Sequence, residues 1–172
     1  MKKLTTRGLL LTAVLTATSA ALVPAGTVLA HHGWSTFDTR LAYYIRGEIT
    51  DVRWGNPHSI VTISVDETEL PDGFRDRSLP AQAREEDATA TLASARPYEG
   101  GHSELRLTMA EPSWMTRWGL DRPLEVGETL EVVGYLGSAN DQDLRAVMFW
   151  LADGTAIYQQ LTSFPTRPEP AN

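Results

Sequence analysis

The feature that most constrains the fold is a series of short segments in which apolar and polar side chains alternate, separated by turn signals. Strict alternation is the mark of a half-buried strand, because successive side chains point to opposite faces of a sheet. Residues 42–54 (AYYIRGEITDVRW) read as a long first strand, with Gly47 as a bulge or bend. Asn56-Pro57 signals a turn, and residues 58–65 (HSIVTISV) form the second strand of a hairpin. Residues 105–109, 129–136 and 144–151 supply three more strands, and Asp153-Gly154 turns into a short sixth at 156–161.

Two segments break this pattern. Residues 112–120 (PSWMTRWGL) predict a short helix, started by Pro112 and stopped by Gly119. Residues 67–103 are polar and acidic, with a helix predicted over 81–96, and read as an insertion between the second and third strands. Glu85-Glu86-Asp87 within it reads as a solvated face. Three strands, a helix and two further strands are the order of an OB-like barrel. The chain is therefore predicted to be all-β, a small barrel of five or six strands with one short helix between strands three and four. A small β-sandwich is the alternative.

Residues 1–30 carry a different pattern. Lys2, Lys3 and Arg7 precede an uncharged apolar run over 8–23, Pro24 breaks it, and Val28-Leu29-Ala30 offers a small-residue cut site. That order predicts a secretory signal peptide and a periplasmic or secreted product. The run is diluted by Ser and Thr and ends in a helix breaker, so it makes a poor membrane anchor, and no span is expected after cleavage. The predicted organisation is a signal peptide over 1–30, a β-barrel domain over 31–163 and a disordered, proline-bearing tail over 164–172. Removing Lys2, Lys3 and Arg7 takes the formal net charge from −7 to −10. So acidic a chain is repelled by phosphate backbones, and nucleic acid is not an expected partner. The absence of cysteine excludes disulfides, thiolate metal sites and cysteine nucleophiles.

Cleavage after Ala30 would place His31 and His32 at the new N-terminus. A chain that starts with histidine offers its α-amino group and the ring Nδ1 of the same residue as a chelate. The amine, with a pKa of about 7.7–8.0, gives up its proton to a metal near neutral pH. A third nitrogen from another imidazole would complete a T-shaped copper site, a histidine brace, and nitrogen ligands of this kind suit Cu(II). His58 follows the rigid Asn56-Pro57 turn and is the favoured third ligand. His102 lies in a Gly-Gly-His loop and reads as less constrained. The sequence reading is thus a copper carrier or accessory factor with ligands His31, His32 and His58. The alternative is a metal-free OB-like module that binds a protein or other ligand.

Five tryptophans serve either reading. Trp114 and Trp118 are four apart and share a helical face, which fits a helix plugging the barrel end better than a ligand platform. No G-x-S-x-G elbow, H-E-x-x-H, phosphate-binding loop or dinucleotide fingerprint is present, so the residues name no catalytic group and a binding role is favoured over an enzyme.

The ordered motifs also resemble a family. The run His31-His32-Gly33-Trp34-Ser35-Thr36-Phe37-Asp38, then Gly47-Glu48-Ile49 and Trp54-Gly55-Asn56-Pro57-His58, is similar to an uncharacterised family of small exported bacterial proteins. Its members start, after the signal, with His-His-Ser and an aromatic–Asp step and carry a Trp-x-Asn-Pro-His turn. Pro112-Ser113, Arg117 to Leu120, Val126 to Glu128, Val132 to Tyr135 and Leu151 to Gly154 continue the likeness. The resemblance implies export and a barrel-like β fold, with His31, His32 and His58 inside the shared motifs, and it supplies no activity. Gly33 stands where Ser is usual, and the insertion at 67–103 is longer than expected and leaves His102 outside the pattern.

Overall fold

The structure, a computed structural model, describes residues 34–159 apart from 81, 82 and 84. A short 3₁₀ turn over Trp34–Thr36 leads into β1 (Phe37–Arg53), followed by β2 (Ser59–Ser64). Helix α1 (Glu85–Ser94) and the two-residue β3 (Arg96–Pro97) lie in the long connection to β4 (Glu104–Met109). Helix α2 (Pro112–Arg117), β5 (Thr129–Gly137), β6 (Asp143–Leu151) and β7 (Ala156–Tyr158) complete the described chain. The predicted strands are all present. The first begins five residues earlier than its alternation suggested, at Phe37. Residues 160 and 161 of the predicted sixth strand, like the tail, lie outside the described residues.

Five strands close a ring of hydrogen bonds. β1 pairs with β2, β2 with β4, β4 with β6, β6 with β5, and β5 returns to β1. Every pairing in the ring is antiparallel except β4–β6. This is the closed, helix-interrupted arrangement of an OB-like barrel. β1 is long enough to serve both sides: its first part pairs with β5 through Glu48, and its last part pairs with β2 from Ile49 onward.

The barrel interior is filled by alternate residues of all five strands, among them Ile45, Ile63, Leu107, Val132 and Phe149. Helix α2 closes one end. Pro112 occupies its first turn, where a missing N–H costs nothing, and Gly119 takes a positive φ of 101° just beyond it. Met115 and Trp118 turn inward from this segment and join the interior cluster. Buried Gln159 ties the same end together. Its Oε1 accepts from the Ala110 N–H and its Nε2 donates to the Ala146 carbonyl, both at 2.6 Å.

A second core lies on the outside of the barrel. Tyr44, Val133, Tyr135, Met148 and Trp150 form one side of it. The connection over 67–103 forms the other, with Phe74, Ala88, Leu92 and Ala95 buried against the sheet. The polar composition of this connection thus conceals a few well-spaced apolar residues that cover the outer face of β1, β5 and β6. Burial on both faces explains why β6 is a nearly continuous apolar run rather than an alternating one.

Candidate metal-binding end of the barrel

His31 and His32 lie outside the described residues, so the geometry begins at Trp34. The 3₁₀ turn brings Thr36 against the β5–β6 turn, where the Ser138 N–H donates to the Thr36 carbonyl at 2.8 Å. Phe37 then pairs with Gly137. The path of the chain into the barrel is therefore fixed at the turn formed by residues 138–142.

His102 stands at that turn. Its Nε2 lies 2.9 Å from Asp141 Oδ1. The contact with the imidazole holds the Asp141 carboxyl below the usual carboxylate range. The turn itself is tied to the start of β4: the Arg106 N–H donates to the Gln142 carbonyl at 2.9 Å, and Arg106 Nε reaches Asp143 Oδ1 at 2.6 Å. His102 is partly exposed, with about a third of its side chain open to solvent.

His58 stands elsewhere. It follows a cis Asn56-Pro57 bond and directly precedes β2, and it is half-buried. The register pairs Ser59 with Met109 and Ser64 with Glu104. His58 therefore adjoins one end of the β2–β4 pair and His102 adjoins the other. Five residue steps of about 3.3 Å separate those ends by roughly 17 Å, so the two imidazoles do not share one ion. Among the described residues, no three of His, Asp or Glu form a group able to hold a metal.

Two other features were candidates. On α2, Trp114 and Trp118 stack with centroids 5.7 Å apart, and the Arg117 guanidinium lies 4.6 Å from the Trp114 ring centre. Trp118 is buried, as a plugging helix requires, but Trp114 is 45% exposed. On the outer face, a cleft of about 500 Å³ is lined by Arg46, Arg77, Thr129, Glu131 and Trp150 among others. Arg77 lies over Phe74 and Trp150, at 4.9 and 5.1 Å, and pairs with Glu131 at 2.8 Å. The Tyr44 hydroxyl donates to the same carboxylate at 2.9 Å, and burial raises the Tyr44 pKa well above the ordinary phenol value. Arg46 pairs with Glu67 at 3.4 Å. With both cations answered by carboxylates, this cleft reads as the clamp that holds the connection onto the sheet.

The comparisons with known proteins bear on about a third of the chain, in its N-terminal half. Residues 20–73 match a family of unknown function, DUF6152. The matched segment contains His31, His32 and His58 together with β1 and β2, and it stops before His102. No curated protein and no solved structure matches the chain. No helix among the described residues is long and apolar enough to cross a membrane.

Proposed function

We propose that this chain is exported to the periplasm, loses residues 1–30 and binds one Cu(II) ion through the chelate of its new terminal residue, His31, assisted by His32 and a third imidazole. The sequence reading takes that imidazole from His58. The protein then acts as a copper carrier or accessory factor. The observation that carries this reading is the position of His31-His32, immediately after the cut site and two residues before the turn that Ser138 pins to the barrel. Export is tested by expressing the full chain and measuring the intact mass of the periplasmic product. A mass corresponding to His31–Asn172 is expected; full-length protein retained in the membrane fraction contradicts it.

A specific observation favours the second reading, a metal-free binding module: Trp114 is held on α2 with nearly half of its surface exposed. A large exposed aromatic is the sort of anchor that dominates protein interfaces. Trp114→Ala is expected to cost under about 1 kcal/mol of stability, whereas Trp118→Ala should cost about 3–5 kcal/mol by emptying the barrel end. Chemical denaturation of the two variants measures this. Equal losses would mark Trp114 as packing and remove the observation on which the module reading rests.

A further inference from the structure

We propose that the cleft on the outer face of β1, β5 and β6 binds an uncharged mono- or disaccharide. The proposal does not depend on the copper reading. Its framework is a row of residues in register across the sheet: Arg46 faces Glu131, Glu131 faces Trp150, and Trp150 faces Ala156. Thr129 lies two residues before Glu131 and so projects from the same face of β5. Arg77 reaches in from the connection and is held over the Phe74 and Trp150 rings. These polar groups are carried by strands or pinned by packing, so little of their freedom is lost when a ligand arrives. The space they line is about 500 Å³, within the range of small-molecule sites.

The clamp spends only part of the hydrogen-bonding capacity of these side chains. Glu131 Oε2 meets both the Tyr44 hydroxyl and Arg77 Nη2, which leaves Oε1 as an acceptor among the described residues. Arg77 commits Nη2 to that pair and Arg46 commits Nη1 to Glu67, so each guanidinium keeps further N–H donors. The hydroxyls of Ser78 and Thr129 add groups that both donate and accept. Charge then selects the ligand. Glu67 and Glu131 balance Arg46 and Arg77, so an anion meets Glu131 Oε1 and a cation meets two guanidiniums. A neutral ring carrying several hydroxyls suits all of these groups, because each hydroxyl donates to the carboxylate or accepts from a guanidinium. Such bonds are charge-assisted and therefore strong for a neutral ligand. Ala152 and Ala156 on the same lining offer apolar surface to the C–H face of the ring.

The test is saturation-transfer nuclear magnetic resonance on the full chain, with glucose, galactose, N-acetylglucosamine and maltose as probes and glucuronate as the charged comparison. Transfer to the ring protons of at least one neutral sugar is expected, with millimolar or tighter affinity. Glucuronate should bind at least about tenfold more weakly than glucose. Arg46→Met should weaken sugar binding by about tenfold or more, the usual effect of losing a hydrogen bond to a charged group. Its pair with Glu67 is exposed, so thermal unfolding of this variant should match the parent. Ala152→Trp places a large ring at the exposed mouth of the cleft and should abolish binding while leaving every polar group in place. Transfer from none of the four sugars overturns the proposal. So does transfer that survives unchanged in both variants, or glucuronate binding more tightly than glucose.

Discussion

Replacing Gly47 with Ala is expected to destabilise the barrel by about 3 kcal/mol, near the upper end of what overpacking costs. Just beyond this residue, between Glu48 and Ile49, β1 passes from pairing with β5 to pairing with β2. Gly47 faces Leu130 on β5, and a Cβ built on it falls onto the Ser64 carbonyl of β2. The neighbouring contacts leave little room to yield, because the Glu48 N–H donates to Ser64 Oγ at 2.9 Å. The obstacle is backbone on one side and a closed ring on the other, so relief means opening the β1–β2 pairing. Gly55 is the matched control: nothing lies within 4 Å of a Cβ placed there. Thermal unfolding of the two variants should show a fall in Tm of about 10 °C for Gly47→Ala and almost none for Gly55→Ala. Similar melting temperatures would show that the strands do not close on each other at Gly47.

The same residue illustrates what the sequence makes legible. A glycine inside an alternating run marks a bend or a close approach; at Gly47 the close approach is the one present, and the register shift of β1 against β2 falls further on, between Ile49 and Asp51. The barrel strands were readable because each alternates, or because turn residues bound it. The two-residue β3 was not, since so short a pairing has no period. The outer core was hidden for a related reason. Phe74, Ala88, Leu92 and Ala95 are too far apart in the sequence to form a pattern, and only the folded connection gathers them over Tyr44 and Trp150. Trp118 matched the plugging role expected of it, whereas its partner Trp114 stands substantially exposed.

At the candidate site the limits differ. His31 and His32 stand out in the sequence because position alone, just after the expected cut site, would give a terminal histidine its chemistry. His102 is inconspicuous in the sequence because a Gly-Gly-His loop carries no local signal of order. Its partner Asp141 is 39 residues away, and only the parallel β4–β6 pairing sets the two turns side by side. His58 had the stronger local signal, a rigid turn, but that turn is at the other end of β2.

Extending the mature chain by a single Ala before His31 is expected to lower its Cu(II) affinity by at least about 100-fold. The added residue removes the α-amino group from chelating distance of the His31 ring while leaving every imidazole in place. What remains is a set of separate nitrogens, and the advantage of closing a preformed chelate is lost. The native form should also lose affinity as pH falls. The amine and the imidazoles must be deprotonated to ligate, so lowering the pH through about 8 and then about 6.5 makes protons progressively stronger competitors. In the extended form the first of these two steps should disappear. Calorimetric titration of Cu(II) into the native and Ala-extended proteins at pH 7 addresses the claim directly. One tight site is expected in the native protein, with its loss on extension; equal affinities in the two forms would show that the terminal amine is not a ligand.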